Sequence, residues 1–252
     1  MPARTPGNDL PPHPSQAMHL EHKDEEMHVG VIGNERLTAL VSLVLLVLLI
    51  VELVTSAFLR IWLPAHTVIG ALLVGPLLVK MGSTGWRFLR YYTRAPAYVR
   101  LGPPPLVLRV LGPVLLVITL VMVGSGIGLV ITGPIQLFLL AHVFSALAWL
   151  PLMAVHSLAH LRQIPQRIAD DWSPRRGPHS PFGRGLRLGV NLGALLFGVI
   201  AAVLLFPAAT PLFAWSQTHV IGMGPFLVGV GVALLVIPFT RPWKWGRVVE
   251  EA

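Results

Sequence analysis

The chain contains no cysteine and little charge. Its 252 residues include only 11 acidic residues, and charged residues of both signs make up 12% of the sequence. The absence of cysteine excludes disulfides, iron–sulfur clusters, thiolate metal sites and covalently attached c-type haem. The scarcity of charge, together with a hydrophobic content of 54%, excludes an ordinary soluble domain. It is typical of a chain with several membrane spans of about 20 apolar residues each.

Two further signals are missing. The first thirty residues have no apolar h-region, so no cleavable signal peptide is predicted. The sequence GSGIG at 124–128 lies inside an apolar run without the strand–turn–helix context of a dinucleotide site, so no nucleotide or flavin site is predicted. A net charge of +8 would suit nucleic acid, but the basic residues lie between apolar runs. We therefore expect membrane lipid, and no nucleic acid, as a partner.

The hydropathy pattern predicts an all-α polytopic membrane bundle with polar ends. Residues 1–36 are rich in proline and mixed charge, which predicts a disordered tail. Residues 37–240 form the membrane domain, and 241–252 form a second polar tail. Within the membrane domain we expect six transmembrane helices, at about 37–59, 63–81, 106–131, 134–161, 186–206 and 212–239.

The basic residues predict the orientation of these six spans. Of the 19 lysines and arginines, all but Arg60 fall on one side of a six-span arrangement. The positive-inside rule then places both termini in the cytoplasm and the protein in the cytoplasmic membrane.

The fourth predicted span carries two histidines on one face. His142 and His156 are fourteen residues apart, so on a helix they differ by about 40° in direction and about 21 Å in height. In the predicted orientation His142 lies in the outer half of the membrane, level with His66 and His219 of two other spans. His156 lies towards the inner half. Ionisable side chains in a membrane are costly and usually functional.

These histidines predict a haem with two axial imidazole ligands. Gly124 and Gly128 of the third span lie at the same outer level and would let a porphyrin approach. Other interpretations stay open: a single membrane histidine often hydrogen-bonds a neighbouring helix, and glycines often form helix-packing seams. The seam interpretation also covers three glycines of the fifth span, namely Gly185, Gly189 and Gly193.

Three more side chains have open roles. Glu52 in the first span would carry protons, contribute to quinone chemistry or pair with a buried histidine. Lys80, fourteen residues after His66, would snorkel to the headgroups or bond a propionate or quinone oxygen. Trp149 lies on the His142–His156 face and would pack against a porphyrin.

Spans one, two and four resemble the cytochrome b subunits of membrane-bound formate dehydrogenases and nickel–iron hydrogenases. The second span of that family has a histidine, a following glycine, an apolar run and a basic, aromatic exit, as in AHTVIGALLVGPLLVKMGSTGWRF with His66 and Gly70. Its fourth span has two histidines fourteen residues apart, as His142 and His156 are. Its first span begins with an arginine followed three residues later by a histidine. Here Arg36 matches, but Ala39 occupies the histidine position.

The resemblance implies which histidines are ligands. In that family the second-span histidine and the first histidine of the fourth span hold the outer haem, which corresponds to His66 and His142 as ligands of the iron. The inner haem would need His156 and the missing first-span histidine. We therefore expect one haem b, with two as the alternative. His219 is either a rival outer ligand or a residue near the haem or a quinone.

The predicted function is that of an electron-transfer subunit of a membrane oxidoreductase complex, not a stand-alone enzyme. It would link the quinone pool to a partner redox protein outside the cytoplasm, and the resemblance implies a molybdenum-cofactor oxidoreductase. The alternative is a cofactor-free membrane anchor or small transporter subunit that uses the buried histidines for proton relay. Self-association is left open by the sequence.

Overall fold

The structure is a computed structural model that describes residues 14–100, 102, 106–161, 163–172, 183–219 and 222–243. Within these ranges every regular element is a helix. The α-helices are α1 Pro14–Ala57, α2 Leu59–Tyr92, α3 Pro96–Arg100, α4 Leu106–Thr132, α5 Gln136–His160, α6 Gln163–Trp172, α7 Arg184–Leu205, α8 Thr210–Thr218 and α9 Gly224–Thr240, and a short 3₁₀ turn spans Pro207–Ala209.

Five of these helices are long and apolar enough to cross a membrane. They are the Gly30–Ala57 part of α1, together with α2, α4, α5 and α7. Inside a bilayer only a helix or a closed barrel satisfies every backbone polar group, so runs of this length and hydropathy form helices. The predicted all-helical, multi-pass class is confirmed for these five spans.

The region of the sixth predicted span is not one continuous helix. The stretch 212–239 is divided between α8, which ends at Thr218, and α9, which begins at Gly224 and has 17 residues. The sequence SQTHVIGMGP around the division is polar and contains two glycines, and Pro225 lies in the first turn of α9. These residues favour a helix end followed by a new helix start. The prediction of a single helix over 212–239 was therefore wrong.

The N-terminal tail also differs from the prediction. Helix α1 begins at Pro14 and so covers part of the segment 1–36 that composition predicts as disordered. The sequence from 17 to 27, AMHLEHKDEEM, is made largely of good helix formers, and a compositional test for disorder does not weigh helix propensity. Residues 1–13 of this tail, and all but Arg241–Trp243 of the predicted C-terminal tail, lie outside the described residues.

Two helical hairpins bring the functional side chains together. Helices α1 and α2 are antiparallel neighbours joined at Phe58, and α4 and α5 are antiparallel neighbours joined through Gly133, which has φ +81°. His66 lies eight residues after Phe58 and His142 nine residues after Gly133, so the two side chains lie at a similar height in their hairpins. Each side chain contacts the preceding helix of its own hairpin.

Helix α2 packs closely on α1 and α7, while α5 packs closely on α4 and α9. At the α2–α7 crossing the two backbones touch. A Cβ on Gly75 would overlap the carbonyl of Ala194, and a Cβ on Gly198 would overlap the carbonyl of Leu72. This crossing depends on the absence of side chains at two positions.

The face of α7 that packs on α2 is not the face of the predicted glycine seam. The buried stripe of α7 contains Arg187, Asn191, Ala194, Gly198 and Ala202. A Cβ on any of the three glycines predicted as the seam would meet no heavy atom within 4 Å; these are Gly185, Gly189 and Gly193. Within the described residues these three glycines meet no neighbouring helix, so a seam at this face stays a prediction. A spacing of four residues identifies a helix face but not the neighbour it meets.

Candidate cofactor site between α2 and α5

His66 is held by a carboxylate on the neighbouring helix. Its Nδ1 lies 3.0 Å from Oε1 of Glu52 on α1 and 3.3 Å from the hydroxyl of Ser56. The Ser56 hydroxyl donates to the backbone carbonyl of Glu52 at 2.8 Å, so its oxygen faces the ring as an acceptor. The two side chains of the pair are 20% and 16% exposed. A carboxylate accepts, which places the proton of His66 on Nδ1.

Glu52 is itself positioned by its own helix and by a glycine on the next. The Thr55 hydroxyl lies 3.2 Å from Oε2 of Glu52. On α2, a Cβ at Gly70 would lie 3.3 Å from Oε1, closer than side chains ordinarily approach. Gly70 therefore leaves room for the carboxylate beside His66.

His142 is held in the same manner by a backbone carbonyl. Its Nδ1 lies 2.9 Å from the carbonyl oxygen of Met122 on α4. The ring edge lies against Gly126, where a Cβ would come within 3.1 Å of Cε1. A carbonyl oxygen only accepts, so the Nδ1 of His142 carries the proton and the Nε2 does not.

The two rings approach each other across the two hairpins. Their centroids are 6.2 Å apart and their planes are at 80°. Although the rings are close, α2 and α5 do not pack closely along their described lengths. The two rings thus bridge two helices whose backbones stand apart, and the Nδ1 of each ring is already engaged.

This arrangement fits a bis-imidazole haem. Metal-bound histidines usually donate their second ring N–H to a carboxylate or carbonyl, as both rings do here. The nitrogens left for an iron would be the Nε2 of His66 and the Nε2 of His142, since the Nδ1 of each ring already has an acceptor. Within the described ranges no group of three or more histidine, cysteine or acidic side chains is gathered as a metal site. Two axial imidazoles do not require one, because the porphyrin supplies the remaining ligands.

The two predicted haem-facing glycines lie in different surroundings. A Cβ at Gly124 would meet no heavy atom within 4 Å, so the surface there is open. A Cβ at Gly128 would lie 2.8 Å from the ring of Phe138 on α5, so this glycine takes part in helix packing. Both were predicted to bind haem, and that role stays a prediction for both.

His219 lies apart from the His66–His142 pair. It is the exposed C-cap residue of α8, its ring stacks on Trp215 at 4.6 Å, and its Nδ1 lies near the carbonyl of Trp215 and the hydroxyl of Thr218. These contacts are all within one turn of chain and include neither His66 nor His142. The break between α8 and α9 therefore removes His219 from the membrane span in which the sequence places it.

Among the residues whose side chains the structure describes, the ring that His156 contacts is on its own helix. Its ring contacts His160 of the same helix, with centroids 4.9 Å apart. Lys80 is near His156 but donates to the Ser42 hydroxyl of α1 at 2.7 Å. Lys80 thus reaches across to α1 within the bundle, where the sequence favoured snorkelling to the headgroups.

Trp149 forms a specific contact that the sequence does not indicate. Its indole N–H donates to the Thr119 hydroxyl of α4 at 2.9 Å, and the ring packs beside the buried cluster of Leu111, Leu115 and Val155. The contact joins α4 and α5 one to two turns beyond His142.

Two groups that contact the histidine rings, the Ser56 hydroxyl and the Met122 carbonyl, were not predicted from the sequence. Ser56 follows Glu52 by four residues and so shares its helix face, a signal that could have been used. The Met122 carbonyl has no signal in sequence, because any residue supplies a backbone oxygen. Only the α4–α5 pairing places that oxygen beside His142.

Comparison of the chain with known protein families, curated proteins and solved structures gave no match.

Proposed function

We propose that this protein is a b-type cytochrome of the cytoplasmic membrane that binds one haem b between His66 and His142. The observation that carries the proposal is the paired geometry of the two rings. They come from different hairpins, lie 6.2 Å apart, and each has its Nδ1 engaged by an acceptor. Both Nε2 atoms are thereby left as the nitrogens suited to a metal.

The residues of the chain would orient and electrostatically tune the site. Glu52 and the Met122 carbonyl hold the two rings in the tautomer that a metal requires. The carboxylate of Glu52 also places a negative charge beside one axial ligand. A haem b held by two imidazoles supplies one-electron transfer and leaves no open position for oxygen. Among the described side chains, the imidazole that contacts His156 is His160 of the same helix, which supports one haem over two.

The proposed topology has six spans with both termini in the cytoplasm. Helix α9 would be the sixth span, because its 17 apolar residues reach the lower limit of about 17–25 residues for a membrane helix. The distribution of lysine and arginine supports the orientation. In this topology the His66–His142 pair lies towards the outer side.

We further propose that the protein is an electron-transfer subunit linking the quinone pool to a redox partner outside the cytoplasm. Support comes from the resemblance of spans one, two and four to formate dehydrogenase and hydrogenase cytochromes b. By that resemblance the partner is a molybdenum-cofactor oxidoreductase. Substrate chemistry would reside in the partner.

One contact favours the competing function, a cofactor-free anchor or small transporter subunit. The Glu52–His66 pair is an acid–base pair inside the bundle, and such pairs also serve proton relay. In that case the His66–His142 pair would contact water in place of a porphyrin.

A reduced-minus-oxidised optical spectrum of the purified protein separates the two functions. We expect the bands of a low-spin haem b after expression with sufficient haem, and about one haem per chain by pyridine haemochrome assay. A protein that stays colourless after reconstitution with haemin, while folded by circular dichroism, would overturn the cytochrome proposal.

A further inference from the structure

A groove with two arginines and two tyrosines lies at the end of α2. It has a volume of about 610 Å³ and is lined by Tyr91, Tyr92, Arg94, Pro96, Val99 and Arg100. None of these described lining residues is acidic. Two guanidinium groups and two phenol groups offer donors suited to a phosphate. We call this the α2–α3 groove.

Arg94 occupies a backbone position that glycine normally takes. It has φ +59°, directly after the α2 C-cap residue Thr93. Its N–H donates to the carbonyl of Tyr91, and the next N–H, of Ala95, donates to the carbonyl of Arg90. These two bonds form a Schellman motif, in which the left-handed residue is usually glycine. Glycine can therefore replace Arg94 without disturbing this end of α2.

The groove is anchored to the bundle. Ala95 and Tyr98 are buried against Val31 of α1 in one hydrophobic cluster. Helix α3 therefore cannot swing freely, and the groove exists before any ligand binds. A preformed site avoids the entropic cost of ordering.

The surface next to the groove is apolar and exposed. Phe88 and Leu89 of α2 are 52% and 54% exposed, and Val99 is 44% exposed. The guanidinium of Arg90 lies over the ring of Trp86, 5.6 Å from its centroid. A cationic groove thus continues into an apolar face on a helix long and apolar enough to span a membrane, which matches the headgroup and acyl chain of a lipid.

We propose that the α2–α3 groove binds the headgroup of an anionic phospholipid, with the phosphate between Arg94 and Arg100 and an acyl chain along Phe88 and Leu89. Basic pockets beside membrane helices recognise such headgroups. The proposal does not depend on haem binding.

The test uses the full-length protein, delipidated in a neutral detergent, with binding measured by native mass spectrometry. The probes are phosphatidylglycerol, phosphatidylcholine with the same acyl chains, and glycerol 3-phosphate. We expect phosphatidylglycerol to bind about fivefold or more tightly than phosphatidylcholine, and glycerol 3-phosphate to compete poorly. Equal binding of the two lipids would overturn the charge-based site. Effective competition by glycerol 3-phosphate would assign the groove to a free phosphate compound instead.

The chain offers a matched pair of variants. Arg94→Gly removes the side chain while relaxing the left-handed backbone, so the helix end is preserved. Arg241→Gly makes the same change at the left-handed cap of α9, where φ is +44°. We expect phosphatidylglycerol binding to fall about fivefold in Arg94→Gly and to stay unchanged in Arg241→Gly. Arg94→Gln, which changes the charge and keeps a side chain, is expected to show the same loss. Wild-type binding by both Arg94 variants would overturn the proposal.

Discussion

Helix α2 meets its two neighbours α7 and α5 in opposite ways. Against α7 the backbones touch, because Gly75 and Gly198 have no side chains to separate them. Towards α5 the backbones stand apart, and the contact is made by the rings of His66 and His142. The close crossing stabilises the bundle through packing, whereas the contact between α2 and α5 is made by the two rings that we propose as haem ligands. Stability and cofactor binding should therefore respond to different substitutions.

The largest expected effect is on haem binding at the contact between α2 and α5. Replacing His142 with alanine removes one of the two proposed axial ligands, and we expect the haem b bands to be lost completely from the reduced-minus-oxidised spectrum. The α2–α7 crossing is untouched, so the variant should still insert and fold. His156→Ala is the matched control on the same helix and should keep about one haem per chain. Full haem content in His142→Ala would contradict the ligand assignment.

The close crossing of α2 and α7 is tested by adding one methyl group at Gly75. In Gly75→Ala the new Cβ would overlap the Ala194 carbonyl, and backbone atoms move only if the two helices separate. We expect the free energy of unfolding to fall by about 1–3 kcal/mol, measured by thermal unfolding in detergent.

Gly193→Ala is the control for that experiment, since its Cβ would meet nothing within 4 Å. We expect it to leave stability unchanged or to raise it by up to about 1 kcal/mol, because alanine is the better helix former. Equal effects of the two substitutions would show that α2 and α7 do not cross at Gly75.

A smaller effect is expected from the carboxylate behind His66. Glu52→Gln keeps the shape of the side chain but removes its negative charge. That charge would stabilise the oxidised, more positive iron, so its removal would favour the reduced state. We expect the midpoint potential to rise in a redox titration, and haem retention to weaken by about tenfold.

Glu35→Gln is the matched control, because Glu35 pairs with Arg87 and Arg167 away from the histidines. It should leave the potential unchanged. A shift of the same size in both variants would mean that the effect is one of overall charge rather than of the Glu52–His66 contact.

The smallest effect concerns Trp149. Phenylalanine at this position keeps the packing but loses the hydrogen bond to Thr119, which should lower the free energy of unfolding by about 0.5–1.5 kcal/mol. If the indole contacts only protein, the haem spectrum should not change. A shifted spectrum with unchanged stability would instead place Trp149 against the porphyrin.

The helical class and five of the spans could be predicted from the sequence, because a membrane helix is recognisable from the length and hydropathy of its apolar run. It also singled out Glu52, His66 and His142, since ionisable residues are rare in apolar runs. It was wrong about one continuous helix over 212–239, where α8 ends at Thr218 and α9 begins at Gly224 within a stretch that is apolar on average. That error carried His219 into a span, whereas the structure places it on an exposed helix end.

Glycine spacing was informative about faces but not about partners. Gly185, Gly189 and Gly193 share one face of α7, and that face meets no described neighbour. The face that contacts α2 is formed by Ala194 and Gly198. Residue spacing alone does not favour this face over the face of the three glycines. Which face of α7 is buried depends on how the helices are arranged, and this arrangement cannot be read from the sequence of one helix.

By itself, the sequence determined that the chain is a membrane protein without cysteine chemistry, and it predicted four histidines inside its spans: His66, His142, His156 and His219. Those conclusions rest on transfer free energies, which belong to each residue and need no partner. Only the tertiary structure decided that His66 and His142 face each other, and that Glu52 and the Met122 carbonyl hold them. Such pairings depend on which helices are neighbours, and this follows from packing along the whole bundle.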